Sequence, residues 1–119
     1  MKDNVLLEKC IAFAVRVINA YKYLEERREY VVSKSFLQCG TDIGAHVEGA
    51  LGGSSKSDFL FEMTNAYKKA RKTRYWIILL QTTGFFDDAQ AKSLIADAEE
   101  ILRIISKTQI TMKKSNPDL

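Results

Sequence analysis

Asp42, His46 and Glu48 are the residues of this sequence best suited to acid–base or metal chemistry, and they lie within "GTDIGAHVEGALGG", residues 40–53. Asp42 and His46 are four residues apart, so on a helix they share a face and could supply two metal ligands. Glu48 would project roughly 160° away from His46, since successive helical residues are ~100° apart. The chain has a single histidine and two cysteines, too few to complete a metal site. The spacing favours a partly exposed His46 that is hydrogen-bonded to Asp42.

The same segment contains five of the six glycines, a density that a phosphate-binding loop could explain. Such a loop requires a glycine directly before its lysine and a strand before the loop. Here two serines separate Gly53 from Lys56, and a helical pattern precedes them. No nucleophile elbow is present either. We therefore predict that the protein is not an enzyme and has no catalytic residue, metal, cofactor or small-molecule substrate. A small metal-dependent hydrolase is the least favoured alternative.

A cluster of cations in "AYKKARKTRYWIILL", residues 66–80, indicates a binding partner. Residues 55–83 contain six cations and two anions, whereas the net charge of the whole chain is only +3. On a helix these side chains spread over a wide arc that could contact the phosphates of RNA or DNA. The predicted contacts are Lys68, Lys69, Arg71, Lys72 and Arg74.

The alternative for these cations is a solvated face, balanced by acidic residues of neighbouring helices. The candidates for that balance are "EERRE", residues 25–29, together with Asp97, Glu99 and Glu100. Aromatic residues within the same apolar run are more often core residues than stacking platforms. We expect Tyr67, Tyr75 and Trp76 to pack in the core.

Four amphipathic helices are predicted, and apolar stripes define the first two. The first covers about residues 3–24 and the second about residues 27–51. Gly52 and Gly53 follow the second helix and could adopt the left-handed backbone of a C-cap. The predicted core stripes are Leu7, Ile11, Ala14, Ile18 and Tyr21 in the first helix and Val32, Phe36, Cys39, Ile43, Val47 and Ala50 in the second. In the first helix Phe13, Val15, Val17 and Leu24 widen the apolar face beyond one stripe, which favours contact with additional helices and hence self-association.

Capping patterns define the other two helices. The third helix is predicted to begin at Ser55, which forms a capping-box pattern with Asp58 three residues later. The fourth is predicted to begin at Asp87, which forms the same pattern with Gln90. The third helix stops at Gly84 and the fourth reaches about residue 112. Residues 113–119 are predicted to be a flexible polar tail. With no alternating strand pattern, the sequence predicts an all-α protein, an antiparallel up-and-down four-helix bundle over residues 1–112.

Small residues beside the apolar stripes predict close contact between helices. Gly40 and Gly44 flank the stripe of the second helix, and Ala66 and Ala70 occupy a narrow face of the third. Glycine inside a helix costs about 1 kcal/mol relative to alanine, so a packing reason is expected. The helix that approaches could belong to this chain or to another subunit.

Apolar patterning and cysteine usage predict a soluble, cytoplasmic protein without a membrane partner. The longest apolar run is "YWIILL", far shorter than the ~20 residues of a membrane span, and no signal peptide is apparent. Cys10 and Cys39 are too few for a disulfide framework and are expected to behave as small buried hydrophobes.

Three sequence blocks, "GTDIGAHVEGA", "SKSDF" and "TRYWIILL", resemble consecutive motifs of a bacterial four-helix bundle family named after the 23S rRNA intervening sequences that encode some members. The match spans about residues 31–80. Asp42 replaces the usual Ser, His46 the usual Asn and Lys72 the usual Glu. The resemblance implies an up-and-down bundle that assembles into ring-like pentamers, with no established enzymatic activity. A related bundle works with a reverse transcriptase and nucleic acid through a basic surface, an analogy at the level of the fold.

These patterns together predict a non-enzymatic, self-associating homo-oligomer that presents its basic third helix to RNA or DNA. The alternative is an adaptor or scaffold that binds proteins without binding nucleic acid.

Overall fold

The protein folds into four helices, α1 (Val5–Glu26), α2 (Val32–Leu51), α3 (Lys56–Thr82) and α4 (Asp88–Ser115). The structure, a computed structural model, describes residues 4–116 and 118, and no strand occurs among them. Each helix packs against the next along the chain, and α4 also packs against α1, so that α1 and α3 lie at diagonally opposite corners. The predicted all-α, antiparallel four-helix bundle is confirmed.

Short polar side chains cap three helix N-termini. Asn4 Oδ1 accepts a hydrogen bond from Leu7 N at 2.8 Å at the start of α1. Ser55 Oγ accepts from Asp58 N at 3.1 Å, and Asp87 Oδ1 accepts from Gln90 N at 2.7 Å. The predicted starts of α3 and α4 are therefore confirmed, because a cap is a local interaction that neighbouring residues determine.

The turn between α1 and α2 differs from the prediction. Helix α1 continues to Glu26, and α2 begins at Val32, five residues later than the predicted start near Arg27. Arg28 has a φ of 65°, and Glu29 N donates to Leu24 O at 2.9 Å, which closes the end of α1. A non-glycine residue in the left-handed region is uncommon, so this stop has no Gly or Pro to signal it.

Glycine plays different roles at the ends of α2 and α3. Gly52 has a φ of −93° and the φ of Gly53 is not positive either, so the predicted left-handed C-cap after α2 is wrong. Gly84 has a φ of 86°, and Phe85 N and Phe86 N both donate to Leu80 O. The left-handed backbone that glycine permits is therefore used after α3, where the chain must turn sharply into α4.

The stripe of α1 that faces the core is not the predicted one, but it includes Phe13, Val17 and Leu24, which were predicted to widen the apolar face. Ile11 and Ile18 are exposed, and Leu7, Ala14 and Tyr21 are only half-buried. Two apolar stripes with the same helical spacing run along α1, so periodicity alone cannot select between them. The stripe that faces the core consists of Leu6, Cys10, Phe13, Val17, Ala20 and Leu24.

The predicted stripe of α2 is correct apart from Val32, which is half-buried.

Two glycines of α2 permit close contact with α1. A Cβ atom at Gly40 would lie 2.7 Å from Val17 Cγ1, and one at Gly44 would lie 3.2 Å from Cys10 Cβ. Ala66 and Ala70 are fully buried in the core. The small residues therefore serve packing within this chain.

Both cysteines are buried and free, as expected of small hydrophobes. Burial raises the pKa of the Cys10 thiol to about 12. Helix α4 extends to Ser115, three residues into the segment predicted as a tail, whereas Asp3, Pro117 and Leu119 lie outside the described residues. Among the described residues, no helix has both the length and the apolar composition of a membrane span.

Candidate nucleic-acid interface

The five predicted cations lie on the outer arc of α3, but only three are free of ion pairs. Lys68, Arg71 and Lys72 are exposed and pair with no carboxylate of the described residues. Lys69 Nζ lies 3.3 Å from Asp42 Oδ2 of α2, and Arg74 Nε lies 3.1 Å from Glu99 Oε2 of α4. The outer surface of α3 therefore carries positive charge that its neighbours neutralise only at its two edges.

The acidic residues of α4 are divided between two neighbours. Glu99 pairs with α3, as the balanced-face alternative predicts. Asp97 and Glu100 instead pair with Arg16 and Lys9 of α1, at 2.6 Å and 3.2 Å. Charge compensation along α4 is thus directed mainly toward α1, which leaves the α3 side of the bundle basic.

A groove of about 640 Å³ lies between α3 and α4 and continues this basic surface. Helix α3 contributes Arg71, Arg74 and Tyr67, and α4 contributes Arg103 and Lys107. Glu99 is the one carboxylate among the lining residues, and it already pairs with Arg74. We call these residues the α3–α4 groove.

Sequence reasoning missed Arg103 and Lys107. They are four residues apart, so they share a face of α4, and this spacing is visible in the sequence. Which helix that face meets depends on how α4 is rotated and shifted against α3. That register depends on how the buried side chains of α3 and α4 pack together, which the sequence does not specify.

Two contacts show the register of α3 against α4. Arg74 pairs with Glu99, and Gln109 Nε2 donates to Thr64 Oγ1 at 3.1 Å. Because the helices are antiparallel, moving from Arg74 toward Thr64 along α3 is the same direction as moving from Glu99 toward Gln109 along α4. In that direction Arg71 lies three residues beyond Arg74, and Arg103 lies four residues beyond Glu99. At 1.5 Å per residue, Arg71 and Arg103 therefore lie within about 1.5 Å of the same level along the bundle.

A second groove, of about 440 Å³, runs between α2 and α3 and contains Lys69, Lys72, Tyr75 and Trp76. Tyr75 is 57% exposed, so its predicted core position is wrong. Trp76 and Tyr67 are half-buried against the core, and the rings of Tyr75 and Trp76 are in edge-to-face contact at 5.1 Å. Aromatic surface is thus available beside the cations.

The predicted hydrogen bond between His46 and Asp42 is not formed. His46 Nδ1 lies 2.8 Å from Glu62 Oε1 of α3, while Asp42 pairs with Lys69. Gly49 leaves room for this partner, because a Cβ atom there would lie 3.0 Å from Glu62 Oε2. Glu48 is exposed and takes no part. Within residues 4–116 and 118, no three His, Cys, Asp or Glu side chains are grouped to hold a metal ion.

The fold and these surfaces define a small four-helix bundle with a basic face along α3 and α4. The chain belongs to the 23S rRNA-intervening sequence protein family, whose model matches residues 2–107. It is similar to the crystal structure of a Bacteroides thetaiotaomicron protein of unknown function from the S23 ribosomal protein family. The two are 37% identical, with a TM-score of 0.87, over 88% of this chain and 98% of that one. No curated protein matches the chain.

Proposed function

We propose that the protein is a non-enzymatic, self-associating bundle that presents the basic surface of α3 and α4 to RNA or DNA. The observation that carries the proposal is the α3–α4 groove, where two cations from each helix surround a single, already paired carboxylate. Lys68 and Lys72 extend the same charge over the outer face of α3.

Phosphate contacts are the interaction that such a surface fits. A nucleic-acid backbone carries a regular row of negative charges, and cations that replace its counterions bind it without reading the sequence. Arginine offers a planar set of donors for a phosphate, and lysine a mobile point charge. The groove contains both, and the cations that are free of carboxylates are exposed to the solvent.

Self-association is supported by an apolar stripe on the outside of α1. Ile11, Val15 and Ile18 are 56%, 53% and 39% exposed and follow one another at helical spacing. Contiguous apolar surface of this kind usually marks an interaction site. Because α1 lies diagonally opposite α3, contact between copies through α1 leaves the basic surface open. A closed ring, such as the pentamer implied by the family resemblance, is the expected form.

Binding to labelled RNA, measured by fluorescence anisotropy at several salt concentrations, tests the nucleic-acid part. The triple variant Lys68→Glu/Arg71→Glu/Lys72→Glu should lose binding at low salt and retain helicity. The matched control is Lys22→Glu/Lys34→Glu/Lys92→Glu, which removes the same charge from exposed positions of the other three helices. Equal losses in the two variants would show that net charge alone, rather than the α3 surface, causes binding.

The alternative, a protein-binding adaptor, is favoured by the same apolar stripe on α1. It predicts a partner that remains bound after nuclease treatment and is lost when Ile11 and Val15 are made polar. If the wild-type protein binds no nucleic acid even at low salt, the RNA-binding proposal is refuted and the protein-binding adaptor becomes the favoured function.

A further inference from the structure

We propose that the α3–α4 groove binds one unpaired nucleotide of a nucleic-acid strand, with a phosphate between Arg71 and Arg103 and the attached base against Tyr67. This inference rests on the proposed nucleic-acid function and specifies which part of the ligand is bound and where. Lys68 and Lys72, which lie outside the groove, would supply the less specific attraction to the rest of the strand.

The phosphate position follows from the distribution of paired and unpaired cations. Arg74 is held by Glu99, so its guanidinium is partly neutralised. Arg71 and Arg103 have no such partner among the described residues, and the register of the helices brings them to nearly the same level on the two sides of the groove. Both side chains are exposed and line the groove, so one phosphate between them can accept hydrogen bonds from both guanidinium groups.

The base position is one helical turn further along the groove. Tyr67 precedes Arg71 by four residues, about 6 Å along α3. Its ring is half-buried and lines the groove. Ile110, which is 57% exposed, extends this apolar surface on the α4 side, and Lys107 lies near the level of Tyr67. Aromatic side chains along a positively charged groove are what single-stranded nucleic acids use to stack their bases.

The dimensions of the groove favour an unpaired nucleotide over a duplex. Packed helices have axes about 8–10 Å apart, so the space between them is narrower than a nucleic-acid double helix. In a duplex the bases are stacked on each other and cannot reach Tyr67, whereas a single strand can turn a base outward.

The test compares a labelled single-stranded RNA of about 12 nucleotides with the same strand in a duplex. The variant Arg71→Gln/Arg103→Gln should weaken single-strand binding at least tenfold more than duplex binding. The matched control, Lys68→Gln/Lys72→Gln, removes the same charge from outside the groove. It should weaken the binding of the single strand and of the duplex to a similar extent. Tyr67→Leu should reduce single-strand affinity roughly tenfold, while Tyr67→Phe, which keeps the ring, should preserve it.

Thermal unfolding of each variant separates a loss of contacts from a loss of structure. The proposal is overturned if the two double variants behave alike, if the wild type binds the duplex as tightly as the single strand, or if stably folded Tyr67→Leu binds normally. If RNA is still bound, any of these results overturns the nucleotide site but leaves the proposed binding of RNA by the basic surface of α3 and α4 valid. Absence of binding to both RNAs at low salt overturns this inference and the proposed function together. Binding of uridine 5′-monophosphate without binding of the strand overturns the assignment to a strand.

Discussion

Gly49 in α2 and Glu62 in α3 are packed so closely that a Cβ atom at position 49 would lie 3.0 Å from Glu62 Oε2. The same carboxylate bonds to His46 through its other oxygen, at 2.8 Å. The absence of a side chain at position 49 thus gives Glu62 space beside α2, where it joins the two helices. Gly40 has a comparable contact with Val17 of α1, but there the neighbour is a fully buried, branched side chain.

The two glycines should therefore respond differently to the same substitution. Gly49→Ala should change stability little or raise it by up to about 1 kcal/mol, because a shift of a few tenths of an ångström at the flexible end of Glu62 relieves the contact while the helix gains propensity. Gly40→Ala should lower stability by about 1 kcal/mol, since the rigid Val17 methyl groups cannot move and overpacking exceeds the gain in propensity. Urea unfolding measures both. The double variant Gly40→Ala/Val17→Ala should show favourable coupling in a double-mutant cycle, and strict additivity would contradict the proposed clash.

Removing a competing carboxylate should strengthen RNA binding. Asp42→Asn frees Lys69, and Glu99→Gln frees Arg74. Each substitution should raise RNA affinity two- to threefold at low salt. The slope of log affinity against log salt concentration should also become steeper, by up to the amount expected for about one additional phosphate contact. Asp97→Asn is the control, because it changes net charge equally but releases Arg16 of α1. Anisotropy titrations at several salt concentrations give the slopes. A similar gain for Asp97→Asn would indicate an effect of net charge alone.

Polar substitution of the α1 stripe should dissociate the assembly. Ile11→Gln/Val15→Gln/Ile18→Gln removes exposed apolar surface without touching the core, so the mass from sedimentation should fall to that of one 13.5 kDa chain while helicity is retained. The control, Val31→Gln/Phe61→Gln/Ile110→Gln, changes three exposed apolar residues outside α1 and should leave the mass unchanged. A wild-type protein that already sediments as one chain at micromolar concentration would refute self-association.

The buried thiol of Cys10 should make stability fall at alkaline pH. Burial raises its pKa from 9.0 to about 12, so the folded state holds the proton more tightly than the unfolded chain does. This contribution is complete below pH 9 and is lost as the pH rises from about 9 to 12. Urea unfolding at about pH 8 and pH 10.5 should show a larger decrease for the wild type than for Cys10→Ala. Equal decreases would place the effect in other titrating groups.

Local features of this fold could be predicted from the sequence, whereas features that depend on the relation between helices could not. Ser55 and Asp87 cap their helices as predicted because each cap involves residues three positions away. His46 bonds to Glu62 of α3 rather than to Asp42 of its own helix, and this partner comes within reach only once α2 and α3 have packed.

The candidate site was partly predictable for the same reason. The cations of α3 stand out as a run in the sequence, but the contribution of α4 to the groove depends on register. Arg103 and Lys107 are no more prominent in the sequence than the exposed Lys113 and Lys114. The exposed stripe of α1 was predicted to face the core because an exposed apolar stripe and a core face share the same helical periodicity.

The diagonal placement of α1 and α3 has a consequence for the strength of binding. In an assembly joined through α1, every copy would carry its own groove on the outside, and one long strand could occupy several grooves at once. Each further contact would then be intramolecular, so individually weak sites would combine into tight binding without any new interaction. The length of the strand, rather than its sequence, would determine affinity, and fragments too short to bridge two copies would dissociate readily.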